Sequence, residues 1–137
     1  MVRGISFTCT VQYYNELYEG AVSVAKNGDT DIEITSPEGL AGLKLHFKGD
    51  AVTAEYSGLN YNASLSEMPE GMAFTYLYEI LRDTKGGEVS LENDKYFTES
   101  KSGSRRYRLY LGATGLPISA EDPSSGFSAE FKKASVN

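Results

Sequence analysis

Residues 36–56 read SPEGLAGLKLHFKGDAVTAEY. A turn marked by Pro37 and two glycines opens the stretch. Leu43, Leu45 and Phe47 then alternate with Lys44, His46 and Lys48. A second turn at Lys48-Gly49-Asp50 follows, after which Val52, Ala54 and Tyr56 alternate with Thr53 and Glu55. Side chains that change character with a period of two belong to a strand. The stretch is therefore a β-hairpin with one apolar and one polar face. The apolar face either covers a core or lines a cavity, and the alternation is the same in both cases.

The same period runs outward in both directions. Ile5, Phe7, Cys9, Val11 and Tyr13 form one apolar row, and Tyr18, Gly20, Val22 and Val24 form the next. Asn27-Gly28 is a hairpin signal, and Thr30, Ile32 and Ile34 continue beyond it. A short strand is expected around Leu59 and Tyr61. The period then changes. Pro69 fits a first helical turn, and Phe74, Leu77, Tyr78 and Leu81 recur at helical spacing beside Ala73 and Ile80. Lys85 and Gly86-Gly87 mark the stop, which predicts one helix over Pro69–Thr84. Strand signals resume at Val89 and Leu91, turn at Asn93-Asp94, and continue through Tyr96–Ser100. A hairpin at KSGS (101–104) leads to Arg105, Tyr107, Leu109 and Leu111 on one face, with Arg106, Arg108 and Tyr110 on the other. Pro117 suits the first residue of a strand or an edge. Phe127, Ala129 and Phe131 form the last row, and the tail after Ala134 is expected to fray.

These readings give a mainly β chain: about ten antiparallel strands in a strongly curved sheet, an unclosed half-barrel, with one central helix on the concave side. One helix does not cover a flat sheet of that width. At 137 residues the chain is read as a single domain spanning 1–137, long enough to fold without metal or disulfide.

A net charge of −6 argues against nucleic acid as a partner. No apolar run is long enough to span a bilayer. No export signal is visible, yet the strand pattern begins almost at once. That raises the expectation of a trimmed export signal, and with it a possible lipid anchor, before Met1. Cys9 is the only cysteine and sits on an apolar row, which predicts a buried, inert thiol. The only histidine, His46, falls on the polar face, so neither a Ser-His-Asp nor a Cys-His arrangement is supported. No zinc-type spacing is present. Asp29, Asp31 and Glu33 share a strand face about 7 Å apart, too far to converge on one cation without help from loops. The remaining acids, Asp122 among them, are read as turn or outward residues. Neither catalysis nor a cofactor is expected. Lys101, Arg105, Arg106 and Arg108 form the one basic island, suited to an anionic head group or an acidic partner, or simply to a charged hairpin tip.

The order of parts carries a resemblance. YEGAVSV is followed by IEITSPEGLAGLKLHF, then VTAEYSGL, a mid-chain helix, and late in the chain RLYLGATGLPISAED before GFSAEFKKA. The turn at 36–40 and Leu116-Pro117 are the matching turn motifs. The chain resembles the LolA/LolB-type lipoprotein-carrier superfamily and its envelope relatives. That resemblance implies an extracytoplasmic, exported or lipid-anchored monomer whose apolar cavity, between sheet and helix, holds a lipid, an acyl chain or a lipoprotein. Its lining would be Val22, Val24, Ile34, Leu45, Phe47 and Tyr56 on the sheet, with Phe74, Leu77, Tyr78 and Leu81 on the helix. Membrane association would come only through the removed anchor. The chain departs from the carriers in having one clear helix and no matching cavity arginine, which points to a small envelope lipoprotein rather than a shuttle. The alternative reading is an interaction or envelope-sensor domain with a filled core and no small ligand.

Overall fold

Alternation builds the sheet in the computed structural model, which describes residues 4–13, 15–67, 73–84, 89–102, 105–123 and 125–136, the side chains at 83, 84, 100–102 and 105 excepted. The strands are β1 (Ile5–Tyr13), β2 (Glu16–Val24), β3 (Thr30–Ser36), β4 (Lys44–Lys48), β5 (Ala51–Tyr56) and β6 (Leu59–Ser64), then β7 (Ser90–Glu92), β8 (Lys95–Ser102), β9 (Arg105–Leu111), β10 (Pro117–Asp122) and β11 (Phe127–Val136). One helix, α1 (Ala73–Thr84), lies between β6 and β7 in the chain. The first helical turn expected at Pro69 and the stop at Gly86-Gly87 lie outside the described residues.

All described strands join one antiparallel sheet in the order β6-β5-β4-β3-β2-β1-β11-β10-β9-β8-β7, which does not close into a barrel. Two meanders are thus sewn together by a central seam of β1 on β11. That seam runs from Gln12 opposite Ser128 to Ile5 opposite Val136. The tail expected to fray is therefore a paired strand. Ile5 and Ser6 give Val136 and Ser135 the backbone partners that a free end lacks.

The helix shows why the sheet must curl. Phe74 and Tyr78, four residues apart, share one side of α1, and Tyr76 points roughly the opposite way. Phe74 packs on β2 at Gly20. Tyr78 stacks on Phe47 of β4, with ring centroids 4.4 Å apart. Tyr76 meets Tyr13 of β1, Tyr107 of β9 and Phe127 of β11. On a flat sheet β4 and β9 would lie about 29 Å apart, whereas a helix with its side chains is about 10–12 Å across. Both strands reach one helix only because the sheet wraps around it. Register shifts between β1 and β11, β2 and β3, and β9 and β10 supply bends of the kind bulges make.

Wrapping buries α1 on nearly all sides. Ala73 to Tyr78, Ile80 and Leu81 are buried, and Arg82 is exposed. The polar residues of the outer face include a hydrogen-bonded pair, His46 and Asp31, which face each other across β4 and β3.

Candidate functional site

The concave face is where apolar rows from both meanders meet the helix. Gly20 illustrates how closely. A Cβ there would sit 3.0 Å from the Glu33 carbonyl oxygen and 3.1 Å from the Phe74 ring. A glycine on this row would have left room for a ligand, but the helix aromatic takes the space. At the end of the helix Tyr78 donates its hydroxyl to the Gly49 carbonyl at 2.8 Å, and burial raises the pKa of that hydroxyl. Arg82 pairs with Asp50 at 3.3 Å and lies 5.7 Å from the Tyr78 ring centroid. A depression of about 160 Å³ at this end is bordered by Val24, Thr30, Gly49, Tyr78, Leu81 and Arg82.

Deeper in, Tyr76 donates a short hydrogen bond to Asp122, and Ser125 Oγ lies 3.1 Å from the same hydroxyl. Asp122, expected in an outward turn, is fully buried. The correction has a plain cause: α1 lies over the β10–β11 turn and supplies a donor that sequence spacing does not show. Desolvation, then the Asp122 hydrogen bond, raises the Tyr76 pKa. Replacing Tyr76 with phenylalanine removes a donor from a buried carboxylate and keeps the ring. It is expected to lower the unfolding free energy by about 1.5–3 kcal/mol, measured by urea denaturation at neutral pH. An unchanged midpoint would show that Asp122 is satisfied without Tyr76.

The opposite face of the sheet carries a wider groove of about 810 Å³ over β1 to β5 and β11. Ser6, Thr8, Ala21 and Ser23 form a low floor, with Asp31, Glu33, Lys44, His46, Glu55 and Lys133 around it. Among the described residues no three His, Cys, Asp or Glu side chains are grouped to hold a metal ion. No described helix is long and apolar enough to cross a membrane.

No protein-family model and no curated protein matches the sequence. Solved structures do match in shape. An uncharacterized conserved protein from Thermus thermophilus superposes with a TM-score of 0.62 at 9% identity, over 100% of this chain and 80% of that one. A putative outer membrane lipoprotein-sorting protein domain from Vibrio parahaemolyticus gives 0.56 at 8% identity, over 100% and 86%. A LolA superfamily protein from Nitrosomonas europaea gives 0.51 at 11% identity, over 99% and 87%. The fold is LolA-like. At these identities the likeness is one of fold.

Within the LolA-like half-barrel, nine of the ten residues expected to line a cavity are buried: Val22, Val24, Ile34, Leu45, Phe47, Phe74, Leu77, Tyr78 and Leu81. Their neighbours are one another and the rest of the core. Tyr56 stands apart at 45% exposure, because β5 extends beyond the cover of the helix. It shares the concave face with Leu59 and Tyr61 of β6, which are 76% and 69% exposed. Leu91 and Tyr96 are exposed at the other margin. The apolar concave face of the LolA-like sheet therefore runs past its helix at both ends.

The basic island divides. The side chain of Arg105 lies outside the described residues, and Arg106 is exposed. Arg108 is engaged within the fold. It donates to Glu99 at 2.5 Å, approaches Glu92 at 3.9 Å and covers the Phe97 ring at 4.2 Å. Its pKa is raised, by Tyr110 first and Glu99 second. Arg106 and Arg108 border a depression of about 390 Å³ together with Glu99 and Glu121, so the local charge is mixed.

Proposed function

We propose that the chain is a non-enzymatic, extracytoplasmic envelope protein that binds a lipid, an acyl chain or a lipoprotein on the apolar concave face, entering at the β5–β6 margin. The observation that carries this reading is the exposed trio Tyr56, Leu59 and Tyr61, apolar surface on the same face as the core and left uncovered among the described residues. The fold shared with a LolA superfamily protein and with a lipoprotein-sorting domain supports it. In this reading Val22, Val24, Ile34, Leu45 and Phe47 form the sheet side of the site. Phe74, Leu77, Tyr78 and Leu81 are the side chains that yield to the ligand. Burying roughly fifteen methylenes at about 0.8 kcal/mol each gives about 12 kcal/mol, comparable to the stability of a whole small domain. Acyl burial is thus large enough to move a helix rather than only fill a void.

A second reading is favoured by the packing itself. With Phe74 on Gly20 and Tyr78 on Phe47, the core is filled where a cavity was expected. The alternative is an interaction or sensor domain that takes no small ligand.

Native mass spectrometry with organic extraction separates the two. The first reading expects a co-purifying lipid that long-chain fatty acid displaces, and Tyr56→Asp, an exposed change, to weaken uptake about tenfold or more while leaving the thermal midpoint intact. A bare mass with no uptake of a fluorescent fatty acid would overturn it in favour of the second. Full uptake by a folded Tyr56→Asp variant would remove the β5–β6 margin as the entrance.

A further inference from the structure

The two free edges of the sheet are unlike. β7 has three residues, and its Glu92 carboxylate reaches to 3.9 Å from Arg108. β6 has six residues, LNYNAS, with no charge, no proline and no shift of register against β5. Sheets ordinarily guard a free edge with lysine, proline, a bulge or short length. β6 has none of these, and its first four residues are exposed.

Its hydrogen-bonding direction follows from the turn before it. Ser57 and Gly58 have φ of 52° and 81°, the left-handed pair of a two-residue type I′ hairpin loop. Such a loop is closed by a hydrogen-bonded pair, here Tyr56 and Leu59. Alternation along an antiparallel ladder then assigns the rest. Leu59, Tyr61 and Ala63 direct their backbone groups to β5, while Asn60, Asn62 and Ser64 direct theirs away from the sheet, where the Glu67 carboxylate accepts the Ser64 N–H at 2.8 Å and leaves Asn60 and Asn62 as the edge.

We propose that β6 pairs antiparallel with β6 of a second copy of this chain, on a two-fold axis through Tyr61. The sequence about that axis is self-complementary. Asn60 of one copy faces Asn62 of the other, Tyr61 faces Tyr61, and Leu59 faces Ala63. The register also matches the outward backbone groups of Asn60 and Asn62. The Asn60–Asn62 pairs are the hydrogen-bonded ones, and Tyr61–Tyr61 is the close, non-hydrogen-bonded pair, with Cα atoms about 4.5 Å apart. An aromatic pair is favourable at such a position. Each copy carries a net charge of −6, yet no charge meets another across this ladder, so added salt strengthens the pairing. The pairing would make a dimer with one continuous sheet, where the sequence reading expects a monomer. Because the axis is normal to the sheet, both concave faces open on the same side and the two Tyr56–Leu59–Tyr61 margins adjoin. The pairing does not depend on whether an acyl chain binds.

Sedimentation over a wide range of concentration tests it. The native chain should reach dimer mass, more readily at high salt. Tyr61→Lys sets two ammonium groups face to face and should weaken the dimer about tenfold or more, with an unchanged circular dichroism spectrum. Tyr61→Cys should cross-link two copies under mild oxidation, since the Cα spacing suits a disulfide, and Leu59→Cys should do so far more slowly. Cys9 is buried and does not compete. A native chain that stays monomeric, a dimer untouched by Tyr61→Lys, or equal cross-linking at both positions would each overturn the proposal. None of these results depends on lipid uptake, so a failure here leaves the binding reading standing.

Discussion

Phe74→Ala is expected to lower the unfolding free energy by about 3–5 kcal/mol. The ring is 2% exposed, lies on the bare backbone of Gly20 and meets Tyr18 edge-on at 6.1 Å between centroids. Truncation loses the transfer energy of the ring and leaves a cavity that cannot collapse. The sheet backbone on one side is hydrogen-bonded in place, and the helix on the other is held by Tyr76 and Tyr78. Urea denaturation reads the loss directly. The same variant probes the relation between core and site. If the space between sheet and helix is the binding volume, emptying part of it should raise the uptake of a hydrophobic fluorescent probe by the folded protein. A cost under about 1 kcal/mol would mean that the helix settles onto Gly20 and closes the gap.

The second large effect is alkaline. Burial pushes the Cys9 thiol up to about 12 from an ordinary 9.0, against a smaller lowering by a hydrogen bond from the Gly20 backbone. The folded chain therefore holds the thiol proton more tightly than the unfolded chain does. The associated stability is fully present below pH 9 and is lost as pH rises from there through 12. Its size is about 4 kcal/mol. Tyr76, Tyr78 and Tyr110 are raised as well, each chiefly by burial, and add to the decline at higher pH. Cys9→Ala isolates the thiol. Denaturation curves between pH 9 and 12 should fall more steeply for the native chain by about that amount. Parallel slopes would place the thiol in contact with water.

The rows of the sheet were legible because the side-chain period of a strand is two whatever surrounds it. Ile5 to Tyr13, Thr30 to Ile34 and Phe127 to Phe131 are buried at alternate positions as their pattern indicates. The helix was legible from Phe74, Leu77, Tyr78 and Leu81, which lie on one broad face. Tyr76 was not, because it lies off that face. A helix wrapped by a sheet buries its other side too, and that is a property of the sheet's curvature. Asp122 was hidden for the same reason. Before Pro123 it has the signature of a turn acid, and only the approach of Tyr76 from residues far away in sequence makes it a buried acceptor. Whether the apolar face encloses space or is filled rests on where helix rings land on sheet positions such as Gly20 and Phe47. Alternation carries no information about that. The groove of the outer face is likewise invisible until register places Ser6 beside Ser23 and Thr8 beside Ala21.

The seam between β1 and β11 has a mechanical consequence. Ile5 and Val136 lie side by side at one end of the ladder, with Gln12 and Ser128 near the other. A force drawing Ile5 and Val136 apart acts across the strands rather than along them. It loads the rungs one at a time, like a zipper, instead of sharing the load among all of them as in shear. Once the seam has opened, each meander still keeps its own ladders. Tension at the ends would thus split the half-barrel down its middle, along the line where the helix rests against β1 and β11, and uncover the apolar face from within.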